Sequence, residues 1–139
     1  MDYPVYIPSK NSQQIKKKEY ESDAGQNILF TDSVSIYQGK TVVELDIQSE
    51  IPAGYYGWVT TRSSAQNKGL IINGIIDSDY RGKWKLVVWN ISKEDYRFKK
   101  GDSIAQIIIQ PFLNCYFSEV ERELIPTQRG INGFGSTDK

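Results

Sequence analysis

Val42-Val-Glu-Leu-Asp-Ile-Gln-Ser-Glu-Ile-Pro-Ala-Gly-Tyr-Tyr-Gly-Trp-Val-Thr-Thr61 decides the fold class. Val43, Leu45 and Ile47 alternate with Val42, Glu44 and Asp46, a period of two that sends the two sets to opposite faces of a strand. Pro52-Ala-Gly54 supplies turn chemistry, and Gly57 to Thr61 forms a second piece beyond it. Further along, Trp84, Leu86 and Val88 share one face of a third strand, with Lys85, Val87 and Trp89 on the other. Ile104 to Ile109 is nearly all apolar, as expected of a strand buried on both faces, and Pro111 ends it. No stretch holds a helical period, and the run Asn11 to Glu21 is too charged and poorly patterned to assign. Short strands separated by Gly, Asn and Asp turns indicate an all-β sandwich or barrel, with jelly-roll closure hiding the edges. No repeat or linker interrupts the chain. Composition shifts only after Pro126, which divides a barrel domain, 1–125, from a glycine-rich tail, 126–139.

The bulk numbers narrow the function. At 139 residues the chain is read as one domain, able to bury roughly two-thirds of its unfolded surface. Lys+Arg and Asp+Glu stand at 17 each, so no whole-molecule field draws it to nucleic acid or an anionic membrane, and phosphate binding requires a local site. Histidine is absent and Cys115 is the only cysteine. That argues against structural zinc, excludes a disulfide within the chain and removes His-based triads. Cys115, in the apolar stretch Leu113 to Phe117, is read as buried filler. No apolar run reaches the length of a membrane span, and MDYPVYIPSK is not a signal peptide. A cytoplasmic protein is expected, or one of the host nucleus or cytoplasm if the chain is viral.

Four segments carry chemistry for a phosphate and a base. The tail, Arg129-Gly-Ile-Asn-Gly-Phe-Gly-Ser-Thr137, combines glycines whose N–H groups can cradle an anion with the planar donor fork of Arg129. Ser136 and Thr137 add hydroxyls, and Phe134 a flat face for a base. Arg62-Ser-Ser-Ala-Gln-Asn-Lys-Gly69 follows a strand, and Ser63 or Ser64 is suited to cap a short helical turn whose N–H groups face an anion. In Gly74-Ile-Ile-Asp-Ser-Asp-Tyr-Arg-Gly82, Asp77 follows two isoleucines at a strand end. It is expected to be partly desolvated at a pocket wall, where a carboxylate can orient and deprotonate water; Asp79 is read as a turn former. Gln106, amid isoleucines in Gly101-Asp-Ser-Ile-Ala-Gln106, either bonds backbone or contacts substrate.

Taken in order with Asp23-Ala-Gly-Gln-Asn-Ile28, these segments resemble the five motifs of the trimeric dUTP diphosphatases (dUTPases). The likeness spans nearly the whole chain. It implies a jelly-roll-like β-barrel of the β-clip type, forming a homotrimer with three active sites at subunit boundaries. The implied reaction converts dUTP and water to dUMP and pyrophosphate, with Mg²⁺ on the triphosphate, keeping uracil out of DNA. By the resemblance Asp77 activates the water, Gln106 contacts the α-phosphate region, Arg62 meets phosphate charge, and Ser63 the bridging oxygens beside Ser64. Tyr80 packs under the deoxyribose. The hairpin around Asn73, Gly74 and Ile75 reads uracil through its backbone. The tail reaches a neighbouring subunit's site, with Phe134 and Gly135 over uracil and Arg129, Ser136 and Thr137 on the γ-phosphate.

The chain departs from the family pattern in places. Asn27 stands where an aspartate usually helps hold Mg²⁺ through water, so weaker Mg²⁺ binding is expected. The stretch Gly69 to Asp77 reads as shorter than the usual hairpin. Lys83 replaces a glutamate after the Arg-Gly pair, and Asp138 a glycine. The alternatives are a catalytically weak dUTPase-fold protein acting as a regulatory protein-binding module, and a relative of the dCTP deaminases, which need a positioned glutamate base.

Overall fold

Alternating burial along the strands builds a barrel around one core. The computed structural model describes residues 3–135. In chain order the elements are β1 (Gln26–Ile28), β2 (Val34–Ile36), β3 (Gly39–Glu44), β4 (Tyr55–Thr61), α1 (Ser63–Gln66), β5 (Leu70–Ile76), β6 (Lys85–Asn90), β7 (Tyr96–Phe98) and β8 (Ala105–Pro111). Six strands join in the order β1-β8-β4-β5-β6-β3, and β2 pairs with β7 in a second small sheet. The result is an all-β, jelly-roll-like barrel in which β8 returns from the end of the chain to lie between β1 and β4.

The period of two is visible in the core. Leu86 and Val88 of β6 are buried with Trp84 just before it, while Lys85, Val87 and Trp89 face outward. Val43, Leu45 and Ile47 are all buried, although β3 ends at Glu44. Beyond it the backbone continues by pairing around Trp84, with Leu45 N–H donating to Trp84 O at 2.8 Å and Trp84 N–H to Ile47 O at 2.9 Å. The Trp84 indole finds a buried partner in Ser49 Oγ at 3.1 Å, as a buried Trp N–H requires.

Two expectations need correction. β8 is not buried on both faces. Ala105 and Ile107 are buried, but Ile108 is half-buried and Ile109 exposed, because one layer of antiparallel sheet covers only one face of β8. Nor is Cys115 buried; it is exposed. β8 ends at Pro111, and residues 112–132 then run exposed along their whole length.

The run Asn11 to Glu21 resolves into an edge segment. A 3-10 turn at Ser9–Asn11 leads to Ile15, which bridges Ile28 of β1. Asn11 is buried; its amide donates to Asp46 O and its Oδ1 accepts from Gln48 N–H at 3.2 Å. That satisfied pair ties the N-terminal segment to the end of β3. No helix among the described residues is long and apolar enough to cross a membrane.

Candidate active site

Cross-strand register assembles the first half of the site. Asn27 of β1 pairs with Gln106 of β8, Gln106 with Thr60 of β4, and Thr60 with Asn73 of β5. Residues directly opposite on neighbouring strands share a face, so these four polar side chains form one row on the outer surface. Their neighbours in the next row, Ile28, Ala105, Thr61 and Ile72, are buried, which fixes the register, since a slip of one residue would invert both rows. Gln106 is half-buried, and its carboxamide makes no hydrogen bond to another described side chain or backbone group. Gly25 lies against it: a Cβ there would sit 3.0 Å from Gln106 Cδ and closer still to Oε1.

Arg62, Ser63 and Ser64 follow directly on β4, two to four residues beyond Thr60 of that row. Arg62 N–H donates to Ile104 O at 3.0 Å, and its guanidinium to Ser103 O at 3.3 Å, which anchors this basic turn beside the start of β8. The structure corrects the capping expectation. Arg62 occupies the N-cap position with no side-chain cap bond, and Ser63 opens the single turn of α1. Ser63 and Ser64 are exposed, so both hydroxyls are left to solvent.

The second half of the site is a split in the sheet. β5 pairs with β6 from Leu70 to Ile72 and with β4 from Asn73 to Ile76. Past Ile72 the edge that faced β6 has lost its partner, so alternate N–H and C=O groups of Asn73 to Ile76 open onto a gap. Gly74 lies there with an ordinary φ, and no atom comes within 4 Å of where its Cβ would be. Nothing within the chain demands glycine at that place. A small cavity of about 60 Å³ lies in the gap between Asn73–Ile76 and Lys85–Val87. Asn73 Oδ1 accepts from Trp58 Nε1 at 2.7 Å, holding its side chain away from the gap.

Asp77 and Tyr80 follow at the mouth of a cavity of about 220 Å³, together with Ile75, Ile76, Trp84 and Lys85. Asp77 reaches the pocket wall but is exposed, against the expected desolvation, because nothing in the same chain covers that wall. Arg81 secures the turn by donating to Ser78 O at 2.7 Å. The Tyr80 hydroxyl donates to Lys83 O at 2.7 Å, and its ring folds over Gly82, where a Cβ would meet ring atoms and hydroxyl at 2.5–2.9 Å.

A family profile described as dUTPase matches residues 11–138. The chain belongs to the dUTPase family. Among its relatives, the deoxyuridine 5'-triphosphate nucleotidohydrolase of Candida albicans is 39% identical over 97% of this chain and 87% of its own length. The mitochondrial enzyme of that name from Homo sapiens is 44% identical over 72% of this chain, and 40% of its own length is covered. In three dimensions, the Staphylococcus bacteriophage 80alpha dUTPase with dUPNHPP matches with a TM-score of 0.85 at 28% identity, over 98% of this chain and 99% of that one.

The dUTPase motifs thus fall into two groups within one chain. Register unites Asn27, Gln106 and the Arg62–Ser64 turn, whereas Asn73, Gly74, Ile75, Asp77 and Tyr80 line the split and its mouth. Arg129 Nε donates to Asn132 O within the tail itself, and Phe134 is fully exposed. Phe134 and Gly135 both take positive φ, 48° and 87°; for phenylalanine that is uncommon. Ser136 and Thr137 lie outside the described residues. Sequence reasoning passed over Gly25 and Gly82, because the side chains that occupy their missing Cβ positions are set only by the turns and strand pairing. No group of three or more His, Cys, Asp or Glu side chains among the described residues is arranged to hold a metal ion. Asn27, half-buried on the outer row, offers a single neutral oxygen donor there.

Proposed function

We propose that this chain hydrolyses dUTP to dUMP and pyrophosphate, at sites shared between the subunits of a homotrimer. The split of β5 from β6 carries the reading. It presents unpaired backbone groups and an unobstructed Gly74 to a flat ligand, and ends at Asp77 and Tyr80. Backbone donors and acceptors suit the edge of uracil, and Tyr80 under the sugar leaves no room for a 2′-hydroxyl.

In the reaction, Asp77 takes a proton from a water whose oxygen bonds to the α-phosphorus. The bond from that phosphorus to the bridging oxygen breaks, and pyrophosphate leaves with the electron pair. Gln106 holds the α-phosphate, Arg62 and Ser63 the phosphate chain, and Ser64 stands beside them. Little covalent chemistry falls to the protein, whose work is positioning and charge stabilisation. Mg²⁺, when bound, neutralises the triphosphate, with Asn27 reaching it through water.

What one chain leaves uncovered supports the homotrimer reading. Leu113, Tyr116, Phe117, Leu124 and Ile125 are all exposed along the arm that follows β8, and exposed apolar clusters of this kind mark interfaces. The tail from 126 would close over a neighbour's site, Phe134 and Gly135 on uracil and Arg129, Ser136 and Thr137 on the γ-phosphate. A cytoplasmic location agrees with the single unpaired cysteine. Pyrophosphate release from dUTP beside dTTP, dCTP and UTP, for the native chain and Asp77→Asn, tests the reading: turnover confined to dUTP and lost in the variant is expected. Asn27 favours one other reading, a catalytically weak binding module; its partner capture would survive Asp77→Asn and ignore dUTP.

A further inference from the structure

We propose that Lys16 is a polyphosphate-binding residue, supplying at the end of the outer polar row a positive charge that offsets the carboxylate missing at Asn27. The inference rests on the dUTP reading and deepens it.

Ile15 bridges Ile28 in antiparallel fashion, and Lys16 N–H donates to Asn27 O at 3.0 Å. The segment is held on both sides of that bond. Leu29 N–H donates to Gln14 O at 2.7 Å, and the Gln26 side-chain amide to Lys16 O at 3.1 Å. Ile15 packs on the core, so by strand parity Lys16 faces the opposite way. It therefore continues the row of Asn27, Gln106, Thr60 and Asn73 by one strand. Lys17 has the opposite parity.

The electrostatics of this corner are distinctive. A cavity of about 100 Å³ is lined by Lys16, Lys17, Lys18, Glu19, Asp23, Gly25, Gln26 and Asn27, three ammonium groups against two carboxylates. Asp23 is engaged by its own turn, Oδ2 accepting from Tyr20 N–H at 3.1 Å. The ion pairs among the described residues join only Lys10 and Lys83 to Asp46, so Lys16 has no carboxylate partner there. An aspartate at position 27 would pair with Lys16 and spend its charge. Asparagine leaves it to the substrate, whose triphosphate carries several negative charges beside Gln106. Lys16 then takes over part of the neutralisation otherwise assigned to Mg²⁺.

The test is equilibrium binding of the non-hydrolysable imido analogue of dUTP, in EDTA and in Mg²⁺. It compares the native chain, Lys16→Gln, Lys16→Arg and Lys93→Gln, each checked for native melting behaviour. In EDTA, Lys16→Gln is expected to weaken binding about three- to tenfold, the range of one partly exposed charge contact on a multivalent anion. Lys16→Arg retains affinity, and Lys93→Gln, with the same change in net charge at an exposed residue outside that cavity, shifts it less than about twofold. The gain in affinity on adding Mg²⁺ is larger in Lys16→Gln than in the native chain. Equal binding by the two glutamine variants in EDTA overturns the role of Lys16 while native dUTP turnover keeps the dUTP reading intact. A native chain that neither binds the analogue nor hydrolyses dUTP removes both.

Discussion

Gly74 separates the demands of folding from those of the ligand. With ordinary φ and open space at its Cβ position, alanine fits the folded chain and reduces the entropy of the unfolded one. Gly74→Ala should hold or raise the melting temperature while raising KM for dUTP at least about tenfold, because the methyl occupies the place of the base. An unchanged KM would move the base elsewhere. Gly25 is the opposite case, since its Cβ space is filled by the Gln106 carboxamide. Gly25→Ala should displace that group and lower kcat about tenfold or more, the scale of a misplaced catalytic contact. Because both changes act through one side chain, adding Gln106→Ala should cost little further; full additivity of the two losses would refute the coupling. The candidate residues were legible as types, an aspartate after isoleucines and an arginine before serines. Their supports were not, since Gly25 and Gln106 stand eighty-one positions apart and meet only through β1–β8 pairing.

Strand parity makes the element-scale prediction. Leu86→Ala should cost about 2–5 kcal/mol by leaving a core cavity, whereas Val87→Ala, on the exposed face of the same strand, should stay within about 0.5 kcal/mol for the unassembled subunit. Denaturant titrations of dilute protein decide between them. The clip between the N-terminal segment and the end of β3 carries a pH signature. The hydrogen bond from Lys10 holds the Asp46 carboxyl below its usual range, outweighing the opposing desolvation, with Coulombic attraction from Lys10 and Lys83 adding to it. A depressed folded-state value stabilises above the unfolded pKa of about 3.9 and loses that contribution as pH falls through the folded value. Asp46→Asn should therefore make the stability loss below about pH 4 shallower. Coincident profiles for variant and native chain would remove the clip. Period two made β3, β4 and β6 readable and an apolar run marked β8, whereas β1, β2, β5 and β7 carry no such pattern of their own. The split of β5 was not readable either, because Leu70 to Ile76 is one continuous strand, and only the divergence of β6 toward β3 divides its partners.

For the whole molecule, the roles proposed for the arm and tail lie beyond one chain. Removing residues 126–139 should leave the melting temperature nearly unchanged and reduce kcat for dUTP by about a hundredfold or more, as expected for loss of a closing lid. Retained turnover would end the lid's role. Turn spacing and alternation were enough to determine an all-β fold, and five short motifs in order carried the dUTPase resemblance, because those properties are local to each segment. Tertiary structure alone decided which polar side chains share a face, where the sheet opens, and that Cys115 and Asp77 lie exposed in a single chain. Such facts depend on register between strands far apart in sequence, and a register carries no signature in either strand taken alone.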